Sequence, residues 1–272
     1  MNYAKVIILI SVMSFLLSLS SLALDNNSHK NNIGSIYISG QYKPSIPQFN
    51  KFSIKEAYTG TKVPKSLKQD IESVTLEVLK LSDNFTLPYN PTYKKNLLGL
   101  GGTIGYAIDN FRIEFETFYE RFNVNTPSGY IHDKIYEYFN IELGSKQYYY
   151  TMRNSGIILS PALINVCYDV TKKKFRNISP YLCLGVGADF IDFLDKVSLK
   201  FSYQAKVGIS YLISPNLALF IDGSFHGHLG NQFSDLVLDY PTDNRIPVPF
   251  TSASVKFNIY FLTTSIGIKF IF

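Results

Sequence analysis

The chain has 272 residues, 46% of them hydrophobic and 15% aromatic, with 20 Tyr, 21 Phe and no Trp. That aromatic content excludes a disordered chain. A mean hydropathy of +0.04, without an apolar run of about 18 residues past the first two dozen, excludes a polytopic helical membrane protein. The net charge of +5 arises from 26 basic and 21 acidic residues with no dense basic stripe, so no nucleic-acid partner is expected.

From the N-terminus, Met1 to Lys5 carries one lysine, Val6 to Leu22 is mostly apolar, and Ser21-Leu22-Ala23 fits the small-x-small rule for signal-peptidase cleavage. Residues 1–23 therefore read as a signal peptide, with an N-terminal anchor as the rival. Residues 24–272 read as one exported domain in an oxidising compartment. No Cys stands at the cleavage point, which excludes a lipoprotein.

Period-two alternation then predicts strands. Ser35 to Lys43 sets Ile36, Ile38 and Tyr42 against Ser35, Ser39, Gln41 and Lys43. Leu98 to Ile108 sets Leu and Ile against Gly99, Gly101, Thr103, Gly105 and Ala107. Phe111 to Arg121 opposes Phe111, Ile113, Phe115 and Tyr119 to Arg112, Glu114, Glu116, Phe118 and Glu120. Ile158 to Asp169 is weaker; Tyr181 to Asp189, Leu199 to Tyr211 and Leu217 to His228 are clear. The last strand ends with Ile266, Ile268, Phe270 and Phe272 in step. These are eight strands of membrane-spanning length.

Short connections (Asp109-Asn110, Thr171 to Ile178, Ile213 to Asn216) alternate with long ones near residues 44–96, 123–154, 190–198 and 229–252. This predicts an all-β protein: a closed antiparallel transmembrane β-barrel with short periplasmic turns and four longer surface loops in the bacterial outer membrane. The lipid face is Leu, Ile, Phe and Tyr. The opposite face places Arg112, Glu114, Glu116, Glu120, Asp189, Lys200, Lys206, Asp222 and Lys269 in the lumen. A soluble barrel would reverse that polarity. The aromatic end Ile266, Ile268, Phe270 and Phe272 reads as an assembly signal for a barrel-assembly machinery, and closure against the first strand removes an aggregation-prone edge.

Cys167 and Cys183 are the only cysteines. Both point inward and lie equally far from a turn centred near Phe175, so they oppose one another and suit a cross-strand disulfide; two buried thiols are the alternative. His226 and His228 share a strand face but lack a third ligand, so no metal is expected. The Gly run from Gly99 to Gly105 has no Gly-Lys-Ser/Thr and no following helix, and is read as making room inside the barrel. No catalytic grouping stands out, and neither an enzyme nor a cofactor is expected. Leu67, Ile71, Val74, Val78 and Leu81 follow helical spacing and predict a short amphipathic surface helix. The first long loop holds eight Lys against five acids, and the second holds Tyr130, Tyr136, Tyr138 and Tyr148 to Tyr150. Such a basic, Tyr-rich surface suits a host-surface protein or glycan. Oligomeric state has no signature.

Several long, collinear segments resemble the major surface antigens of the outer membranes of Ehrlichia and Anaplasma. They are Gly34 to Phe49, Arg112 to Val124, Asn165 to Val170, Ser179 to Ile191, Phe201 to Pro215 and Gly230 to Phe233. The resemblance implies an immunodominant, surface-exposed barrel of an obligate intracellular bacterium, and some members are described as porins. Where that family usually shows Trp after Lys-Gln-Asp, this chain has Ile71. Residues 125–154 and 234–262 match poorly. Two functions follow. An eight-stranded interior is just filled by side chains, favouring a structural, host-facing barrel; the family's porins imply passage of small hydrophilic solutes instead.

Overall fold

A strand with one apolar and one polar face is stable where lipid meets the first and other side chains enclose the second. The computed structural model, which describes residues 34–56, 60–143, 148–170, 177–236, 240–241 and 253–272, arranges the chain in this way. The predicted signal peptide lies outside these residues. Eight antiparallel strands form the barrel: β1 (Ser35–Tyr42), β2 (Leu100–Ile108), β3 (Phe111–Phe122), β4 (Ile157–Asp169), β5 (Ile178–Phe193), β6 (Lys196–Ser214), β7 (Leu217–His228) and β8 (Tyr260–Ile271). Each pairs with its neighbours in chain order. The barrel closes where β1 meets β8, from Tyr37 opposite Ile271 to Tyr42 opposite Ile266. Beyond that register the Phe272 amide donates to the Ile36 carbonyl at 2.8 Å, so the chain's last residue is part of the seam.

Side chains alternate between lipid and lumen, most regularly along β3. Along β3 every second residue is exposed (Phe111, Ile113, Phe115, Tyr119) and the others, from Arg112 to Phe122, are buried. Phe201 on β6 is 75% exposed while its neighbour Ser202 is buried. Ile266, Ile268, Phe270 and Phe272 all lie on the exposed apolar face. Tyrosines and phenylalanines group near both ends of that face. Phe111 packs on Tyr168 beside the Asp109-Asn110 turn, and Phe225 packs between Tyr203 and Tyr260 at the opposite end. Aromatic girdles of this kind mark the two membrane interfaces, and Tyr fills the place of the missing Trp.

The segments expected as loops are largely strands. Residues 190–198 are not a long loop: β5 runs to Phe193 and β6 starts at Lys196. A two-residue turn joins them, with Leu194 and Asp195 at φ 51° and 57°. Both are in the left-handed region that a tight hairpin turn needs. The pair carries no Gly or Asn to announce it. The predicted helix over residues 67–81 is also shorter. Leu67 ends a strand, Lys65–Leu67, and only α1 (Leu76–Lys80) is helical, capped by the Thr75 hydroxyl, which accepts from the Val78 amide at 3.3 Å. The apolar residues still meet: Leu67, Leu79, Phe85 and Ile135 form a buried cluster against which Ile71, Val74 and Val78 pack. Helical spacing here records a shared core rather than a continuous helix.

Besides a two-stranded ladder of Thr92–Tyr93 with Val124–Asn125, two small sheets stand beyond the long-connection end of the barrel. One runs in the order Tyr240–Pro241, Tyr148–Arg153, Tyr138–Leu143, Lys65–Leu67 and Phe85–Pro88. The other runs Gln232–Leu236, Ala253–Asn258, Asn50–Glu56 and Gly60–Lys62. Together they form a head with its own apolar core.

Candidate functional site: the filled lumen and its head

Inward positions on successive strands meet across the barrel axis, and they stack in three layers. Near the short-turn end, Cys167 of β4 stands opposite Cys183 of β5 and the two are joined by a disulfide. They pack with Tyr181 and Phe220. A Glu114 carboxylate oxygen lies within 4.8 Å of both sulfurs, but a metal there would need thiolates that the S–S bond has consumed.

The middle layer is ionic. Glu116, fully buried on β3, accepts from five donors. Lys43 Nζ and Gln41 Nε2 reach Oε1 at 2.8 and 2.7 Å. Lys206 Nζ, Gln204 Nε2 and Asn165 Nδ2 reach Oε2 at 2.8, 2.8 and 2.9 Å. Lys206 also bonds Glu114 at 3.2 Å, and the Tyr37 hydroxyl donates to the other Glu114 oxygen at 2.6 Å. Arg112 lies 3.6 Å from Glu114 and 3.4 Å from Asp169. Tyr181 donates to Asp222 at 2.7 Å. Lys269 Nζ sits 4.5 Å from the centre of the Tyr37 ring. Charges this deep persist only when paired and hydrogen-bonded, and here cation and carboxylate alternate across the axis. Among these groups a cavity of about 10 Å³ remains, lined in part by Ser39, Thr103, Glu114, Lys206 and Lys269. That is room for about one water molecule.

Three of the predicted lumen charges sit apart from this network. Glu120 is higher, held by Ser45 at 2.5 Å and by Asn96 at the two ends of the first long connection. Lys200 is at the upper rim, half-exposed, donating to the Gln232 carbonyl at 2.6 Å, and so belongs to the junction with the head rather than to the lumen. Asp189 meets His226 Nε2 at 2.9 Å, with His228 Nδ1 4.0 Å away. Sequence reasoning missed Lys43, Asn165 and Gln204 as partners of Glu116. Lys43 had a signal, since it shares the parity of Ser39 and Gln41 on the polar face.

The upper layer is aromatic. Inward residues of the barrel (Phe118, Phe122, Leu159, Leu163, Phe261) join one buried cluster with head residues Ile54, Tyr89, Phe139, Met152, Phe233 and Phe257. Phe49 stacks edge-on against Phe122 and Phe257 at 5.0 and 5.7 Å, bridging barrel and head. Burial raises the phenol pKa of Tyr89 and Tyr93 well above the ordinary tyrosine value. The head is therefore a stopper whose core runs into the barrel mouth.

A closed barrel with a lipid-type exterior and a polar, packed interior defines an outer-membrane β-barrel protein. The fold is shared with the outer membrane protein OprG from Pseudomonas aeruginosa, at a TM-score of 0.54 and 13% identity, covering 89% of this chain and 97% of that one. Residues 28–272 match the surface antigen family, to which the chain belongs. It is 28% identical over 245 residues to Major surface antigen 4 of Anaplasma marginale, covering 88% of this chain and 84% of that protein.

Proposed function

We propose that this surface-exposed outer-membrane protein is a sealed barrel that anchors a folded β-head outside the cell, where the head meets host molecules and antibodies. The observation that carries this reading is the continuity of three packed layers along the axis. Among the described residues, a disulfide, a buried ion network with room for about one water, and an aromatic stopper fill the axis in turn, which supports a closed lumen. That arrangement speaks against the solute-passing alternative. The long connections face outward because outer-membrane barrels keep their short turns in the periplasm. The C-terminal strand, with its exposed Phe270 and Phe272 at the seam, is the segment an assembly machinery would read.

Mild trypsin digestion of intact cells tests the orientation. Cuts at exposed head lysines such as Lys65, Lys95 and Lys134, with the barrel strands protected, are the expected outcome. Protection of the head, with cleavage only after membrane rupture, overturns the reading.

A further inference from the structure

The four-stranded sheet of the head has one face in the core and one in solvent. Ile54, Val255 and Phe233 fix the inner face, each at most 1% exposed. Lys55 pairs with Ser254, Ser53 with Lys256, and Lys256 with Gln232, so these residues share the outer face. Lys51 is exposed beside them at the bulge opposite Phe257, with φ 60°. Lys51, Lys55 and Lys256 are all exposed, and the partly exposed hydroxyls of Ser53 and Ser254 lie between them. Among the described outward residues, Lys51, Lys55 and Lys256 bring three ammonium groups to this face. Diagonal neighbours on paired strands stand about 7–8 Å apart, so Lys55 and Lys256 form a spaced ladder of point charges rather than a single pocket. The outer edge of the sheet is cationic too. Lys196 and Lys200 donate to the Ser234 and Gln232 carbonyls at 2.6 Å each, capping the edge strand against further pairing.

We infer that this face binds a linear sulfated polysaccharide. The charge is complementary, and a pleated face with a repeating charge spacing suits an extended polyanion. The described outward residues of the face include none of the large apolar or aromatic anchors that protein–protein hot spots need. The inference rests on the outward orientation of the head for its biological meaning. Its test does not, because binding by purified protein is independent of which way the head points in a cell.

The test uses the full-length chain refolded in detergent, with immobilised heparin as probe and neutral dextran and anionic-lipid vesicles as comparators. The wild type should bind heparin, release it as salt rises to about 0.5 M, and ignore dextran. Lys51→Ala/Lys55→Ala/Lys256→Ala should weaken heparin binding by about tenfold, in line with three exposed ionic contacts. Lys65→Ala/Lys95→Ala/Lys134→Ala removes equal charge from other exposed positions and should leave binding within about twofold of wild type. Equal losses in the two variants would show non-specific charge attraction and overturn the site. So would wild-type heparin binding no tighter than binding to anionic vesicles. Failure here with the head cut on intact cells refutes the polyanion face alone; protection of the head on cells refutes the orientation.

Discussion

Glu116→Gln is the sharpest perturbation of the lumen. The carboxylate accepts from Lys43 and Gln41 on one oxygen and from Lys206, Gln204 and Asn165 on the other. An amide keeps one oxygen, so its NH₂ must face one of these two sets. In the less costly orientation Lys43 and Gln41 lose their acceptor, and an ammonium with no exposed surface loses its counter-ion. Removing one partner of a buried pair costs about 3–5 kcal/mol, a large share of the 5–15 kcal/mol typical of a folded domain. Because the chain has no Trp, urea unfolding of refolded protein is followed by tyrosine fluorescence and far-ultraviolet circular dichroism. Glu77→Gln, on the exposed helix of the head, serves as control and should shift stability by less than about 0.5 kcal/mol. Lys43→Met combined with Glu116→Gln should recover part of the loss, since it removes the stranded charge. A Glu116→Gln barrel within about 1 kcal/mol of wild type would refute the claim that this network holds the lumen closed.

Three other outcomes follow from the same geometry. Intact cells should give no thiol labelling of Cys167 or Cys183 without reductant, and Cys167→Ser/Cys183→Ser should lose about 3 kcal/mol, as expected for a closed loop near 15 residues. Full labelling without reductant would contradict the bridge. Val186→Arg, on the lipid face at the middle of β5, should cost about 2–4 kcal/mol in vesicles, whereas Val186→Leu is tolerated; equal effects would place Val186 away from lipid. The buried phenols of Tyr89 and Tyr93 have raised folded pKa values, so their contribution is complete below about pH 10 and is lost as pH rises beyond it. Tyr89→Phe/Tyr93→Phe should blunt the alkaline loss of head structure seen by circular dichroism, and an unchanged alkaline transition would show that these phenols do not control it.

The membrane strands were legible because each passes between two sharply different surroundings. Alternation from Phe111 to Tyr119 or Leu199 to Tyr211 would also suit a soluble sheet; what points to lipid is that the charged face, with Glu114, Glu116, Lys200 and Lys206, is the one that must be enclosed. The same parity set Cys167 opposite Cys183 by counting outward from one turn. The head was not legible, because its strands are short and pair over long separations: Ser66 lies opposite Phe139, and Ile54 opposite Val255. Local periodicity carries no trace of such partners. The β5–β6 hairpin was hidden for a different reason. Its turn places Leu194 and Asp195 in a backbone region that Gly or Asn ordinarily signals, so the segment read as a loop although both strands continue through it. The five-donor setting of Glu116 was half-visible, since parity placed Gln41, Lys43, Asn165, Gln204 and Lys206 on inner faces but gave no sign that they converge on one carboxylate.

The central claim is that the barrel is sealed, and single-channel recording of the purified, refolded chain in planar bilayers tests it most directly. The account predicts a flat baseline across the voltage range for wild type, with insertion verified by heat-modifiable mobility of the reconstituted protein. Reproducible open steps of constant conductance from that same preparation would contradict it and return the porin reading to first place.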